Sequence, residues 1–191
     1  VSVSQATLAQ LVYAWLTPHT EISTAAATTG GYSNEDYMRI NQYYMETSQN
    51  TATYQALTLA GKDVKLDYQG VYVLNVTKNS TFKGLLHLAD TVTGVNGKTF
   101  KSSQELMAYV ADLDLGSKVT VQEISNGKTK EVSGKIIELP NGKNGIGIGL
   151  VDHTKVLSDV DVTFDTSRVG GPSAGWMFTL DIYAHVNNED V

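Results

Sequence analysis

Three absences limit what this chain can be. It has no cysteine among its 191 residues, which excludes disulfide bonds, thiolate-bound metals and cysteine nucleophiles. No apolar run approaches the ~18 residues that span a bilayer, and no signal peptide is visible. Cations are scarce and scattered, with 14 Lys and Arg against 20 Asp and Glu. A formal charge of −6 without a basic stripe argues against a nucleic-acid partner.

The composition that is present is that of an ordinary globular protein, with 41% hydrophobic and 18% charged residues. The length suffices for one large domain or two small ones. The 4 histidines show no ligand spacing, so we expect no metal site. We also expect no cofactor. The sequence starts at Val1 without an initiator methionine, and we expect it to begin downstream of a removed segment.

Helical patterns come first along the chain. Ser4 is a candidate N-cap for a helix over "QATLAQLVYAWL", and Pro18 predicts its end. The small, polar stretch "STAAATTGGYS" is typical of a loop. Ser33 then caps a second, long helix that is expected to end at Gly61.

The hydrophobic period changes to that of strands after Asp63. The segments "VKLDYQGVYVLNV", "KVTVQEI" and "KEVSGKIIEL" alternate as β-strands do. One helix, "SSQELMAYVADL", interrupts them; Ser102 or Ser103 caps it and Gly116 closes it. The pair Asn96-Gly97 predicts a tight turn. This middle block is a compact module between two helical or mixed segments.

A glycine-rich turn, "RVGGPSAGWMF", leads into the last helix, which is expected to run from Pro172 to about Val186 and to be largely buried. Ser173 lies where unpaired N–H groups and the positive end of the helix dipole converge, a place that stabilises an oxyanion. The backbone around Gly170, Gly171 and Ala174 would supply donors and space for a carbonyl. The same string is also the pattern of an ordinary capped helix.

A Ser-His-Asp hydrolase is a weaker alternative for Ser173. Its candidate partners are His153, His185, Asp152, Asp165 and Asp181. His185 follows too far along the same helix to reach the serine, and the elbow G-x-S-x-G is absent because the string reads G-P-S-A-G.

The middle block resembles a bacterial PDZ domain. "GVYVLNV", "LADTVTGVNGK" and "SSQELMAYV" follow the family's order of strand, turn and groove helix, with Ala89 where glycine is usual. The resemblance implies an α+β fold: a PDZ module, a β-sandwich or partial barrel with capping helices, inserted within a Lon-type proteolytic α/β domain. The predicted boundaries are residues 1–62 for a helical part, 63–139 for the PDZ domain and 140–191 for the serine-bearing segment.

A PDZ module binds a peptide as an added strand. We expect the backbone near Tyr68, Gln69, Gly70 and Val71 to hold the peptide end. The remaining residues assigned to peptide binding are Val73, Leu106, Met107, Val110 and Gly147. For Val73 and Val110 the alternative is that they fill the module's own core.

The string "GGPSAG" before an apolar helix is similar to the catalytic-serine motif of Lon-type proteases, and "GIGIGLVDH" resembles the family strand before it. The whole chain resembles the PDZ-containing, Lon-like surface proteases of Gram-positive bacteria. The resemblance implies a serine-lysine endopeptidase behind a single N-terminal membrane anchor at the cell surface. It also implies that the partner is an extended peptide, including competence-type pheromones, and that neither nucleic acid nor cofactor is needed.

Two departures qualify this resemblance. The family's lysine lies several dozen residues after the serine, whereas 18 residues follow Ser173 and none is Lys or Arg. The sequence is therefore expected to lack the anchor and the catalytic end, and to be inactive alone. Trp176 stands where the family has a smaller aliphatic residue, either as a core substitution or as a side chain that crowds the site. A non-catalytic peptide-binding adaptor remains the alternative function.

Overall fold

The computed structural model describes residues 7–17, 23–164 and 175–187. The chain divides into two compact units, Val1–Tyr37 and Met38–Val191. The first unit holds helices α1 (Leu8–Leu16) and α2 (Ala25–Thr29) and ends within the first turn of α3 (Asn34–Leu59). The second unit holds all the strands described below.

The two helices of the first unit correct the prediction. Thr7 caps α1 in a capping box with Gln10, while the predicted cap Ser4 lies outside the described residues. The stretch predicted to be a loop contains α2, so that prediction is wrong. The Thr24 side chain accepts from the Ala27 N–H at 3.1 Å, and alanine has the highest helix propensity. The cap and the alanines together start a short helix.

The long helix α3 begins and ends as predicted. The Ser33 hydroxyl accepts from the Asp36 N–H at 3.0 Å, which confirms the N-cap. At the other end the Lys62 N–H donates to the Leu57 carbonyl at 2.9 Å across Gly61. Within the described residues, no helix combines the length and hydropathy needed to cross a membrane.

An antiparallel five-stranded sheet forms the centre of the second unit, in the order β4-β3-β2-β1-β7. Its strands are β1 (Val64–Val76), β2 (Thr91–Val95), β3 (Lys118–Ser125), β4 (Lys128–Lys135) and β7 (Ile148–Ser158). A small ribbon pairs β5 (Ile137–Glu138) with β6 (Asn144–Gly145). Helix α4 (Ser103–Ala111) follows β2, and helix α5 (Gly175–Asn187) comes last. The predicted mixture of helices and strands is confirmed, and the sheet is antiparallel.

Alternation along β1 gives the sheet two packed faces. Val71 and Val73 point into the main core, which they share with α4. Tyr72 and Leu74 point to the opposite face and pack with Ile40 of α3. The two helices therefore lie on opposite sides of β1.

Helix α5 is less buried than the sequence suggested. Ile182 packs with Ala56 and Leu57 of α3 in a third cluster. Trp176 is 67% exposed and Leu180 49% exposed, so the prediction of a largely buried helix is wrong. An apolar composition alone does not show which face of a helix packs.

Candidate binding groove

Strand β1, where the sequence placed the peptide edge, lies inside the sheet. It pairs with β7 from Val64 to Val76 and with β2 at Val71. The Val73 N–H donates to the Asp90 carbonyl at 2.8 Å, and the side chains of Val71 and Val73 are fully buried. The prediction that this part of β1 offers a free edge is wrong, and its two valines belong to the core.

Gly70 does allow a close approach, but of the protein's own backbone. An added Cβ there would lie 2.2 Å from the Val92 carbonyl oxygen of β2. Next to it, Gln69 is exposed and its amide bonds to Asp67. Burial, with the nearby carboxylates as a smaller cause, raises the pKa of Tyr68 above its usual range. This hydroxyl is buried without a hydrogen-bond partner among the described residues.

Strand β7 is an edge strand of the sheet, at the end opposite β4. The N–H and C=O of Val73 face β2, so those of Tyr72 face β7, where its partner is Val151. Backbone groups alternate along a strand, and the bulges of this pair lie on β1. Hence every second residue of β7 turns its N–H and C=O outward; these residues are Ile148, Leu150, Asp152, Thr154, Val156 and Ser158.

Helix α4 runs alongside this outward edge. At its start, the Ser103 N–H donates to Asp152 Oδ1 at 2.9 Å. Beyond its end, Asn144 Nδ2 donates to the Leu113 carbonyl at 2.8 Å. Since Asn144 precedes β7, the helix is antiparallel to the strand, and a groove lies between them.

The helix residues predicted to line the groove divide into two kinds. Leu106 and Val110 are 2% and 3% exposed and belong to the core beneath the groove. Met107 is 47% exposed and lies one turn after Ser103, on the side that meets β7. From the strand, the half-buried Ile148 and Leu150 pack against the same core. Of the three helix residues predicted to line the groove, Met107 is therefore the one that is exposed enough to contact a ligand.

The loop before β7 points two backbone N–H groups into the head of the groove, which is its end at the start of β7. The Ile146 carbonyl accepts from Ser80 Oγ at 2.6 Å, and the Gly147 carbonyl accepts from the Thr77 N–H at 2.9 Å. In a trans peptide the N–H points opposite to the C=O, so the N–H groups of Gly147 and Ile148 point away from that turn. Successive N–H groups of this kind form an anion-binding concavity.

Gly147 is the one predicted binding residue in this loop, and it adopts a left-handed φ of 73°. An added Cβ would lie 2.8 Å from Thr77 Oγ1 and 2.9 Å from Ser80 Cβ. The outward residues Ile148 and Leu150 were not among the predicted binding residues. The alternation of glycine and isoleucine in "NGIGIG", directly before an apolar strand, was the available signal.

The predicted nucleophile and its surroundings lie outside the described residues: Ser173, Gly170, Gly171 and Ala174. Helix α5 begins two residues after the serine, at Gly175.

The histidines of the alternative hydrolase hypothesis have other partners. His153 stacks on Tyr72 at 4.0 Å between ring centroids, and its Nδ1 lies 3.0 Å from Thr91 Oγ1. Burial lowers the pKa of His153. His185 bonds to the Asp181 carbonyl within α5. No three His, Asp or Glu side chains of the described ranges come together as a metal site.

Comparison with known proteins identifies the fold of this region. Residues 49–136 match the family model of the PDZ domain. The PDZ domain of the SdrC-like protein of Listeria monocytogenes is 34% identical, with a TM-score of 0.43, over 46% of this chain and 93% of that one. Its Listeria innocua counterpart is 36% identical, with a TM-score of 0.42, over 44% and 96%. No curated protein matches the chain.

Proposed function

Because this chain carries a PDZ domain, a peptide-binding module, over residues 49–136, we propose that its groove binds the free carboxyl end of a peptide. The observation that carries the proposal is the pair of N–H groups at Gly147 and Ile148, which faces the head of the groove. A peptide added antiparallel to the outward edge of β7 would place its carboxylate there. Its side chains would meet Met107 of α4 and the apolar surface of Leu150.

Two comparisons test this docking: a peptide acid against its amide, and the unaltered protein against a Met107 variant. We expect a peptide with a free carboxyl end to bind at least about tenfold more tightly than its amide, because the N–H pair prefers an anion. Met107→Glu should weaken binding by a similar factor without changing the unfolding midpoint, since the side chain is half exposed. Met38→Glu, at an exposed methionine of α3, is the matched control. Fluorescence anisotropy measures the affinities; equal binding of acid and amide would contradict the proposal.

The second part of the proposal is that the docked peptide is a substrate. The string "GGPSAG" and its resemblance to Lon-like proteases support Ser173 as nucleophile, with backbone donors at Gly170, Gly171 and Ala174. A buried lysine would act as the general base, and the 18 residues after the serine contain none. We place this activity at the cell surface, on exported peptides that include pheromones. The other candidate is a non-catalytic PDZ adaptor.

Replacing the serine separates the protease from the adaptor. In the full-length protein as expressed in its own cell, Ser173→Ala should abolish cleavage of an extended peptide and keep peptide affinity within about twofold. Ser167→Ala, six residues upstream and outside the motif, is the matched control. Mass spectrometry of the products measures cleavage. Binding without cleavage in the unaltered protein would favour the adaptor.

A further inference from the structure

Helix α3 occupies part of the edge that a peptide would use. Thr47 Oγ1 lies 2.7 Å from the Asp152 carbonyl oxygen and 2.9 Å from the Tyr43 carbonyl oxygen of its own helix, so its one proton is shared between two acceptors of which Asp152 is the nearer. Asn50 Nδ2 donates to the Thr154 carbonyl at 2.8 Å. Both carbonyls belong to the outward series of β7. Two side chains of one helix, three residues apart, therefore bond to successive outward carbonyls of the strand.

The position of α3 explains how it reaches the edge. Its Ile40 packs on the face of the sheet opposite α4, and Tyr43 stacks on Tyr72 at 4.2 Å between ring centroids. Tyr72 also bonds to Glu46 at 3.1 Å. One turn further, Thr47 and Asn50 meet the strand, so the contact at the edge continues a packed interface.

The position of the carboxylate fixes which residue of β7 each residue of an antiparallel peptide faces. With its carboxylate at Gly147 and Ile148, the last residue faces Ile148, the third from the end faces Leu150 and the fifth faces Asp152. The Asp152 carbonyl is the first that α3 already occupies. Residues beyond the fourth would have to displace Thr47 and then Asn50.

We propose that α3 closes the far half of the groove, so that this PDZ domain recognises only the last four residues of a peptide and excludes a chain that runs through. This inference rests on the proposed docking function. It names Thr47 and Asn50 as positioning residues that set the length of the bound segment.

Peptide length is the direct test. The probe is the tightest-binding member of a synthetic set of acetylated hexapeptides with free carboxyl ends and apolar last residues, shortened from its amino end. On the unaltered protein, the hexapeptide, pentapeptide and tetrapeptide should bind within about twofold of one another, and the dipeptide should bind far more weakly. In Thr47→Val/Asn50→Leu the hexapeptide should gain about fivefold or more over the tetrapeptide, because the Asp152 carbonyl becomes available to the N–H of its fifth residue from the carboxyl end.

Thr58→Val is the matched control, since the Thr58 hydroxyl donates to the Tyr54 carbonyl of its own helix at 2.7 Å; it should keep the unaltered length profile. A hexapeptide that binds the unaltered protein more than about fivefold better than the tetrapeptide would overturn the length limit alone. A protein that binds no member of the set would overturn the docking function and the limit with it.

Carbonyl ¹³C shifts give a readout that needs no variant. Binding of the hexapeptide to the unaltered protein should move the signal of Leu150 and leave that of Asp152 in place. Movement at Asp152 as large as that at Leu150 would overturn the length limit.

Discussion

At the scale of single residues, Ala89 stands in a backbone conformation that suits glycine. Its φ is 77°, and its N–H donates to the Val73 carbonyl at 3.0 Å. The left-handed region is unfavourable for a residue with a Cβ, and this hydrogen bond keeps the turn before β2 in that conformation. The alanine in place of the family's glycine is therefore locally strained.

Ala89→Gly should raise the free energy of unfolding by about 0.5–1 kcal/mol, because relief of the left-handed strain outweighs the added entropy of the unfolded chain. Urea denaturation followed by circular dichroism measures it. Ala108→Gly, in the exposed interior of α4, should have the opposite sign, at about 1 kcal/mol of destabilisation. A lower stability for Ala89→Gly would show that the alanine methyl contributes packing that exceeds the strain.

A second residue, Glu123, is a carboxyl group in the core. It is 1% exposed, and its Oε2 has no hydrogen-bond partner among the described residues. Burial first, and then the hydrogen bond and charge of Asp90, raise its pKa to about 7, against a smaller opposite effect of Lys130. At neutral pH the group is therefore partly protonated.

This pKa sets a pH dependence of stability. A carboxyl whose pKa is higher in the folded state than its usual 4.5 binds its proton more tightly when folded. The stabilisation of the folded state by this bound proton is thus complete below pH 4.5 and is lost as the pH rises to about 7. The free energy of unfolding falls over this range by up to about 3 kcal/mol. Glu123→Gln should remove this fall, whereas Glu131→Gln, exposed on β4, should keep it. Denaturation midpoints from pH 4 to 8 that coincide for Glu123→Gln and the unaltered protein would contradict this.

At the scale of elements, local signals predicted well where one short segment decides the outcome. The caps Ser33 and Ser102 bond to the N–H groups of Asp36 and Glu105. Asn96 has a φ of 52° and Gly97 one of 75°, as a tight hairpin turn requires. In each case the chemistry lies within four residues, so the sequence contains the whole cause.

Pairing between distant strands could not be predicted in the same way. The apolar alternation of β1 fits an edge strand beside a groove as well as a central strand, because core and groove use the same residue types. Only the pairing of β1 with β7, from Val64 with Ser158 to Val76 with Ile148, moves the edge to β7. The helix α4 was predicted in the right place, and the strand opposite it was not.

At the scale of the whole molecule, the described residues of the second unit form three separate clusters of buried side chains. One lies under the groove, one between α3 and the sheet, and one between α3 and α5. Helix α3 contributes to the last two, through Ile40 and Leu57, and it reaches the groove edge with Thr47. It therefore links the end of the chain to the binding module, and we expect the unit to unfold in one transition.

Truncation in the α3–α5 cluster tests that link. Ile182 is 5% exposed, so Ile182→Ala should lower the free energy of unfolding by about 2–4 kcal/mol through the cavity it leaves. Leu180→Ala, at a side chain of the same helix that is 49% exposed, should cost less than about 1 kcal/mol. Because the groove cluster shares no residue with this one, peptide affinity should stay within about twofold in both variants. If Ile182→Ala splits urea denaturation into two transitions, α5 and the sheet fold separately, and α3 does not couple them.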